Sequence, residues 1–396
     1  MDNIMKKFFL FIFLLIPVVA DAQENRVEAV LDTLKKNSLL IKTASQNSAY
    51  QMLENRDILS LENPEVEFNY LFGDEETGNR RGLSVMQSFK AQDVSGIKFK
   101  MVNSQNKISA YEFDEAVRDF ELQARNVLVD FVVANTLLRK YAERTELSRK
   151  LVEAEKRRLD LGEASVMEYH KAEMYLATVS GLQQRCETDL VTLAQEVMRL
   201  NGGVSVPVEI YNLSVSDLWS ATLIDDFEAW YQQYENARPL VSASEGAALA
   251  ELNLKSARMD WIPSLSVGYM QELTDVEKFR GVATSLSVPI WSSRRNVGKQ
   301  KIALEMARTQ ELSAKNDRYT QKRVLFERCK NLKNLCDYYH ESLDKFGDIQ
   351  IVYKALNEGE ISLIEFISES DMYYEFFATH LESERERLKA EAELMR

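Results

Sequence analysis

The chain has 396 residues but only 14 glycines and 6 prolines, so loops are few and regular elements are long. A formal charge of −13 excludes a nucleic-acid surface as its main partner. Three cysteines and three histidines, none in metal-ligand spacing, exclude a disulfide framework and a structural zinc site.

Residues 1–22 read as a signal peptide. Lys6 and Lys7 precede an apolar run from Phe8 to Ala20, and Ala20-Asp21-Ala22 is a small-x-small cleavage site. That run is too short to span a bilayer, and no later stretch reaches the roughly 18 apolar residues a membrane helix needs. No cysteine stands at the cleavage point, so no lipid anchor is expected on the mature N-terminus.

Residues 23–60 form an N-terminal helical run, closed by Asn63-Pro64. The period then changes to two, and residues 61–91 hold a β-hairpin. Val66, Phe68, Tyr70 and Phe72 alternate with Glu65, Glu67, Asn69 and Leu71, and after a polar loop Leu83, Val85, Gln87 and Phe89 alternate with Ser84, Met86 and Ser88, giving one apolar and one mostly polar face. Residues 92–201 read as a long helical hairpin. Its outgoing rod carries apolar or small residues at Val117, Phe120, Ala124, Val127, Phe131, Ala134, Leu138 and Tyr141, a 3.5-residue repeat that marks a left-handed coiled coil. About 67 residues at 1.5 Å each predict a rod of roughly 100 Å.

Residues 202–222 are an equatorial insert with strand-like alternation from Val204 to Tyr211, and residues 223–260 a return helix. A second hairpin occupies residues 261–292, with Leu265, Val267 and Tyr269 alternating with small polar residues, and Leu286, Val288 and Ile290 likewise. Residues 293–396 read as a second long helical hairpin. Its outgoing rod reaches about residue 357, with the seam Leu325, Cys329, Leu332, Cys336, Tyr339, Leu343 and Phe346. Cys329 and Cys336 lie about 10.5 Å apart along such a helix, too far to bridge, and read as small apolar seam residues.

One stretch explains this order. Arg158-Leu-Asp-Leu-Gly-Glu-Ala-Ser-Val-Met-Glu-Tyr169 recurs, altered, as Ala355-Leu-Asn-Glu-Gly-Glu-Ile-Ser-Leu-Ile-Glu-Phe366. In each copy a glycine suits a left-handed helix end, and Ser-x-x-Glu suits a capping box that opens the next helix. The chain is a tandem duplication, each half a strand hairpin on a long helical hairpin.

Four strands cannot close a barrel, and an isolated hairpin is marginal. Strands of 8 to 10 residues with one apolar and one polar face suit an outer membrane, where unpaired edges are not tolerated, so they require strands from other copies. The alternative is a soluble protein whose hairpins pack on its own helices.

Leu161-Gly162-Glu163-x-Ser165, Glu358-Gly359-Glu360-x-Ser362, the exit Val288-Pro289-Ile290-Trp291 and the order of elements over residues 23–396 together resemble the TolC-like outer-membrane efflux family. The resemblance implies a mixed α and β membrane protein. Long antiparallel helices would form a coiled-coil barrel, and four strands per chain would contribute to a trimeric twelve-stranded outer-membrane β-barrel. It implies a homotrimer in the outer membrane of a Gram-negative bacterium, with a large periplasmic portion. Its partners would be outer-membrane lipid, a periplasmic adaptor (membrane fusion) protein and an inner-membrane pump, with the resistance-nodulation-division type as candidate. Two departures stand out. Ser88 occupies a position where the first hairpin often has a proline, and any belt around the tunnel must come from residues 204–220 and the N-terminal segment.

By the family's motif, Glu365 aligns with an acidic ring at the periplasmic mouth, and the second ring position is Ser368. The competing account is that Glu365 only caps a helix. Leu161, Gly162, Glu163, Glu358, Gly359 and Glu360 would be adaptor-docking tips, or merely turn formers. Phe68, Tyr70, Phe72, Trp261, Tyr269 and Trp291 would form a membrane girdle, or pack on the protein's own helices. No nucleophile elbow, phosphate loop, metal cluster or dinucleotide fingerprint appears, so no enzyme activity and no cofactor are expected. A soluble periplasmic coiled-coil scaffold and a non-conducting outer-membrane anchor remain as alternatives to a channel.

Overall fold

A computed structural model describes residues 16–74, 78–219, 226–274, 277–289 and 293–396. In chain order its elements are α1 (Ile16–Asn37), α2 (Leu39–Arg56), β1 (Glu65–Leu71), β2 (Arg80–Phe89), α3 (Ala91–Val94), α4 (Ile97–Asp160) and α5 (Val166–Leu200). Then come α6 (Phe227–Ala237), α7 (Val241–Met259), β3 (Ser264–Thr274), β4 (Lys278–Ser287), α8 (Ser293–Phe346), α9 (Ile349–Asn357) and α10 (Leu363–Met395). Two units divide the chain. The first is Met1–Lys42, Val117–Tyr231 and Gln321–Arg396, and the second is Thr43–Ala116 and Gln232–Thr320.

Two apolar clusters of the first unit position the elements described below. In the larger, Val27, Leu31 and Leu34 of α1 meet Leu128, Phe131 and Val132 of α4, Val197 and Leu200 of α5, and Leu381 and Leu388 of α10. Each such side chain contributes about 1.5–3 kcal/mol by leaving water. The 3.5-residue seam of α4 finds Phe120, Ala124 and Phe131, but Leu128, Val129, Val132 and Val133 are also buried. A helix that is apolar nearly all round over 127–133 is enclosed by neighbours on several sides, not along one stripe. Cys329 and Cys336 are buried, free seam residues, and burial pushes both thiols up to about 12. Burial also raises the thiol of Cys186.

The insert carries no strand among its described residues, contrary to the alternation from Val204. Val208–Asn212 and Val215–Asp217 are short 3-10 turns instead. Ile210 and Leu213 drop into the main cluster, Asn135 donates to the Tyr211 carbonyl at 3.0 Å, and the Trp219 indole donates to the Leu388 carbonyl at 3.2 Å. Docking on helices, not pairing with a strand, satisfies this backbone.

Three predicted runs are interrupted. The N-terminal one breaks at Ser38 between α1 and α2, and the 223–260 run breaks at residues 238–240 around Pro239. The second rod ends at Phe346, where Gly347 takes φ 80°, and α9 restarts after Asp348, whose carboxylate accepts the Gln350 N–H at 3.0 Å. Gly-Asp there is a helix stop followed by an N-cap, a signal the heptad seam overrode.

The second unit is built on one antiparallel sheet in the order β1-β2-β3-β4. The two hairpins therefore pair with each other through β2 and β3, in the register Val85↔Tyr269 and Phe89↔Leu265. Below the sheet, the Asp260 carboxylate accepts Gln92 after β2 and Asn296 after β4, both at 2.7 Å. Glu245 of α7 binds Ser104 and Lys107 of α4 at 2.7 and 2.6 Å, and Lys107 holds its carboxyl below the usual range.

Candidate functional site

Two places in the chain have no role in the core: the sheet of the second unit and the helical turns of the first. Strand alternation sorts the sheet into unlike faces. Directly paired residues share a face, so the register defines rows across it. One face presents Phe89–Leu265–Leu286, then Gln87–Val267–Thr284, then Val66–Val85–Tyr269–Val282 and Phe68–Leu83–Gln271–Arg280. Its large apolar side chains are exposed, Val282 at 79% and Phe68 at 68%. The opposite face is mostly small or polar, with Leu71, Met86, Met270 and Phe279 as its large apolar members: Ser88 and Ser266 share a 2.7 Å hydrogen bond there, and Arg80 meets Glu272 at 3.4 Å. The outer strands β1 and β4 have no further partner in the sheet. An apolar face and two open edges are costly in water and leave backbone groups to be paired.

The predicted girdle residues are distributed unevenly. Phe68, Tyr70 and Tyr269 share the apolar face, Tyr70 half-buried beside Phe72 at 4.8 Å. Phe72 and Trp261 are exposed just outside the strands, and Trp291 lies outside the described residues.

At the other site, the duplicated motif repeats atom for atom. Gly162 has φ 76°, its N–H donates to Leu159 O at 3.0 Å, and Glu163 N–H donates to Arg158 O at 2.8 Å. Gly359 has φ 75°, with Gly359 N–H to Leu356 O at 3.1 Å and Glu360 N–H to Ala355 O at 2.9 Å. Both are Schellman ends, which satisfy carbonyls the helix cannot. Ser165 and Glu168 then cap α5, and Ser362 and Glu365 cap α10, each serine N–H donating to the glutamate at 2.7 Å.

Both turns sit over one apolar cluster, in which Leu147, Leu151, Ala172, Tyr175 and Val179 meet Leu363 and Phe366. The structure thus brings the six predicted tip residues together at one end of the first unit. Leu161, Glu163, Glu358 and Glu360 are exposed there. Glu365 and Ser368 lie on the exposed side of α10, opposite the buried Phe366 and Ser370.

The capping hydrogen bonds hold the carboxyls of Glu365 and Glu168 below the usual range, the backbone N–H of Ser362 or Ser165 acting first. A carboxyl lowered in the folded state stabilises above its unfolded value, and the effect is lost as pH falls through the folded value. The turns are therefore expected to keep full protection at neutral pH and to loosen only below about 4.5, the ordinary value, as hydrogen exchange of α5 and α10 first-turn amides would show. Loosening already at pH 6 would contradict this.

Sequence reasoning missed a buried polar layer next to the tips. Arg144 is 5% exposed, donates through Nε to the Tyr175 hydroxyl at 3.2 Å and pairs with Asp371. Its guanidinium lies 4.7 Å from the Tyr374 ring centre, and Tyr175 shares a 2.7 Å hydrogen bond with Ser370. Burial raises the Tyr374 phenol, so it stays protonated. The signal was available: after Tyr141 the apolar repeat of α4 gives way to Arg144, Thr145, Ser148 and Glu155, all buried.

No family model matches the sequence, and no curated protein sequence matches it. Solved structures do match in fold. The CmeC outer membrane channel of Campylobacter jejuni aligns with TM-score 0.71 at 14% identity, over 93% of this chain and 84% of that one. CusC, described for its folding and transmembrane channel formation, aligns with TM-score 0.75 at 15% identity, over 93% and 91%. The open-state MtrE outer membrane channel of Neisseria gonorrhoeae aligns with TM-score 0.72 at 13% identity, over 93% and 88%. These likenesses show that the fold of this chain, long helices with one four-stranded antiparallel sheet, is that of outer-membrane channels.

Proposed function

We propose that three copies of this chain form a passive duct through the outer membrane, the exit of a tripartite efflux or secretion system. The observation that carries this is the sheet with one exposed apolar face, one polar face and two unpaired edges. In lipid those edges must be paired, and each copy's β4 can pair with the next copy's β1. Three copies bring twelve strands, and a barrel of that size encloses water on its small polar face. The likeness to outer-membrane channels supports the same reading.

A leader over residues 1–22 would deliver the chain to the periplasm, where the helical portion lies. The tips, Leu161–Gly162–Glu163 and Glu358–Gly359–Glu360, would meet a periplasmic adaptor bound to an inner-membrane pump, which supplies the energy. No step of chemistry is assigned to the chain itself. The test is electrical. Purified protein reconstituted in planar bilayers should give discrete conductance steps and should cosediment with outer membrane. Release with the periplasm would favour a scaffold, and membrane residence without conductance would favour an anchor.

Glu365 would place three carboxylates around the periplasmic mouth, attracting cations. Because glutamine also serves at the third position of a capping box, Glu365→Gln removes the charge while keeping the turn. Cation selectivity, read as a reversal potential in a salt gradient, should fall in this variant, and an unchanged potential would leave Glu365 as a cap alone.

A further inference from the structure

The apolar face of the sheet is not uniform along its height. Its two rows nearest the strand loops, the end away from the helices α2, α3, α7 and α8 that continue the strands, are Tyr70–Arg81–Leu273–Lys278 and Phe68–Leu83–Gln271–Arg280. The three rows nearer the helices contain no charged residue. Among the described residues this face thus carries three cations and no carboxylate, all within two rows at one end. Arg81, Lys278 and Arg280 are exposed. None has a carboxylate partner among the described ion pairs, in contrast to Arg80, which meets Glu272 on the opposite face. Arg81 rests over the Tyr70 ring at 5.6 Å.

Rows on one face are about 6.8 Å apart and neighbouring strands about 4.8 Å apart. The three cationic heads therefore fall within the reach of one or two phosphate groups. Directly beneath them lie Phe68, Leu83, Val85 and Val282, exposed and apolar, the surface an acyl chain would cover. Solvent-facing cations that merely kept the protein soluble would be scattered over both faces or interspersed with acids. Three cations at the loop end of the lipid-side face, with no carboxylate among the described residues of that face, fit an anionic headgroup above acyl chains.

We propose that Arg81, Lys278 and Arg280 form a binding site for the phosphate groups of a phosphorylated glycolipid in the outer leaflet, with its acyl chains lying on the rows below. The proposal rests on the outer-membrane part of the reading above, in which the loop end of the strands faces outward. It does not require the duct to conduct.

The experiment uses the full-length protein in detergent. It is titrated with diphosphoryl lipid A and with lipid A stripped of both phosphates, and bound lipid is counted by native mass spectrometry. The wild type should bind the phosphorylated form about tenfold more tightly or better, and Arg81→Gln/Lys278→Gln/Arg280→Gln should remove that preference. Arg80→Gln, on the opposite face, should leave it intact. Equal binding of the two lipids by the wild type, or an unchanged preference in the triple variant, would overturn the site. An undiminished preference when inorganic phosphate is present in excess shows that the whole lipid is the ligand, whereas full competition would overturn a lipid site. Planar-bilayer conductance of the same preparation keeps the two readings apart: a conducting triple variant with unaltered lipid binding sinks only the site. A wild type that binds lipid A without conducting sinks only the duct.

Discussion

Truncating Phe366 to alanine is expected to destabilise the paired helical tips by about 3–5 kcal/mol, the cost of an emptied aromatic core site. Phe366 is 0% exposed and belongs to the cluster in which the first helical hairpin meets the second, with the Tyr353 ring 6.0 Å from its own. Both turns rest on this cluster, so opening is local, and the fitting measurement is native-state hydrogen exchange. Amides of α9 and the first turns of α10 should lose about two to three and a half orders of magnitude in protection, at about 1.4 kcal/mol for each tenfold. The sheet of the second unit should keep its own protection, since the residues of this cluster all belong to the first unit. Phe366→Leu, which retains most of the volume, should cost only about 1 kcal/mol. A loss below tenfold for the alanine variant would mean that the tips are held by other contacts.

If the tips dock an adaptor as proposed, Gly359→Arg is expected to abolish export while leaving the assembly intact. At φ 75° any L side chain is strained by about 1–2 kcal/mol, but a Cβ there meets nothing within 4 Å, so the fold absorbs the change. What changes is the outer surface of a turn flanked by Glu358 and Glu360, where a bulky cation would stand in the way of an adaptor. Gly359→Asn supplies the control, because asparagine tolerates the left-handed region and is small. An export assay in cells beside size-exclusion of the purified protein separates the outcomes. Export that survives the arginine would remove docking from this turn, and loss with asparagine as well would point to the backbone.

The elements that were legible from sequence are those in which local rules and tertiary context agree. Strand alternation found both hairpins because each sheet face sees a single environment, and the two Gly-Glu turns were found because Schellman ends and capping boxes are set by a few adjacent residues. The pairing of β2 with β3 was not legible, since register between distant hairpins depends on the whole sheet. The breaks at Gly347 and Pro239 were not legible because apolar residues recur at helical spacing on both sides of each, as Ile349, Val352 and Leu356 do after Gly347. The Arg144 layer was hidden for a different reason: Tyr175, Ser370, Asp371 and Tyr374 come from helices far away in sequence, and only packing makes a polar stretch of α4 into a network. The insert misled because alternation in so short a segment serves a 3-10 turn as well as a strand.

The three thiols bear on how these ideas can be examined. Cys329 and Cys336 are buried and their thiols are pushed up to about 12, so both stay protonated at neutral pH, whereas Cys186 is only partly buried and its thiol is raised by the same cause. Maleimide dyes and spin labels would pass over Cys329 and Cys336. With Cys186 replaced by alanine, a single reporter cysteine placed at residue 161 or 358 could then be tagged selectively, and distances between tips could be followed by spectroscopy without touching the two buried thiols.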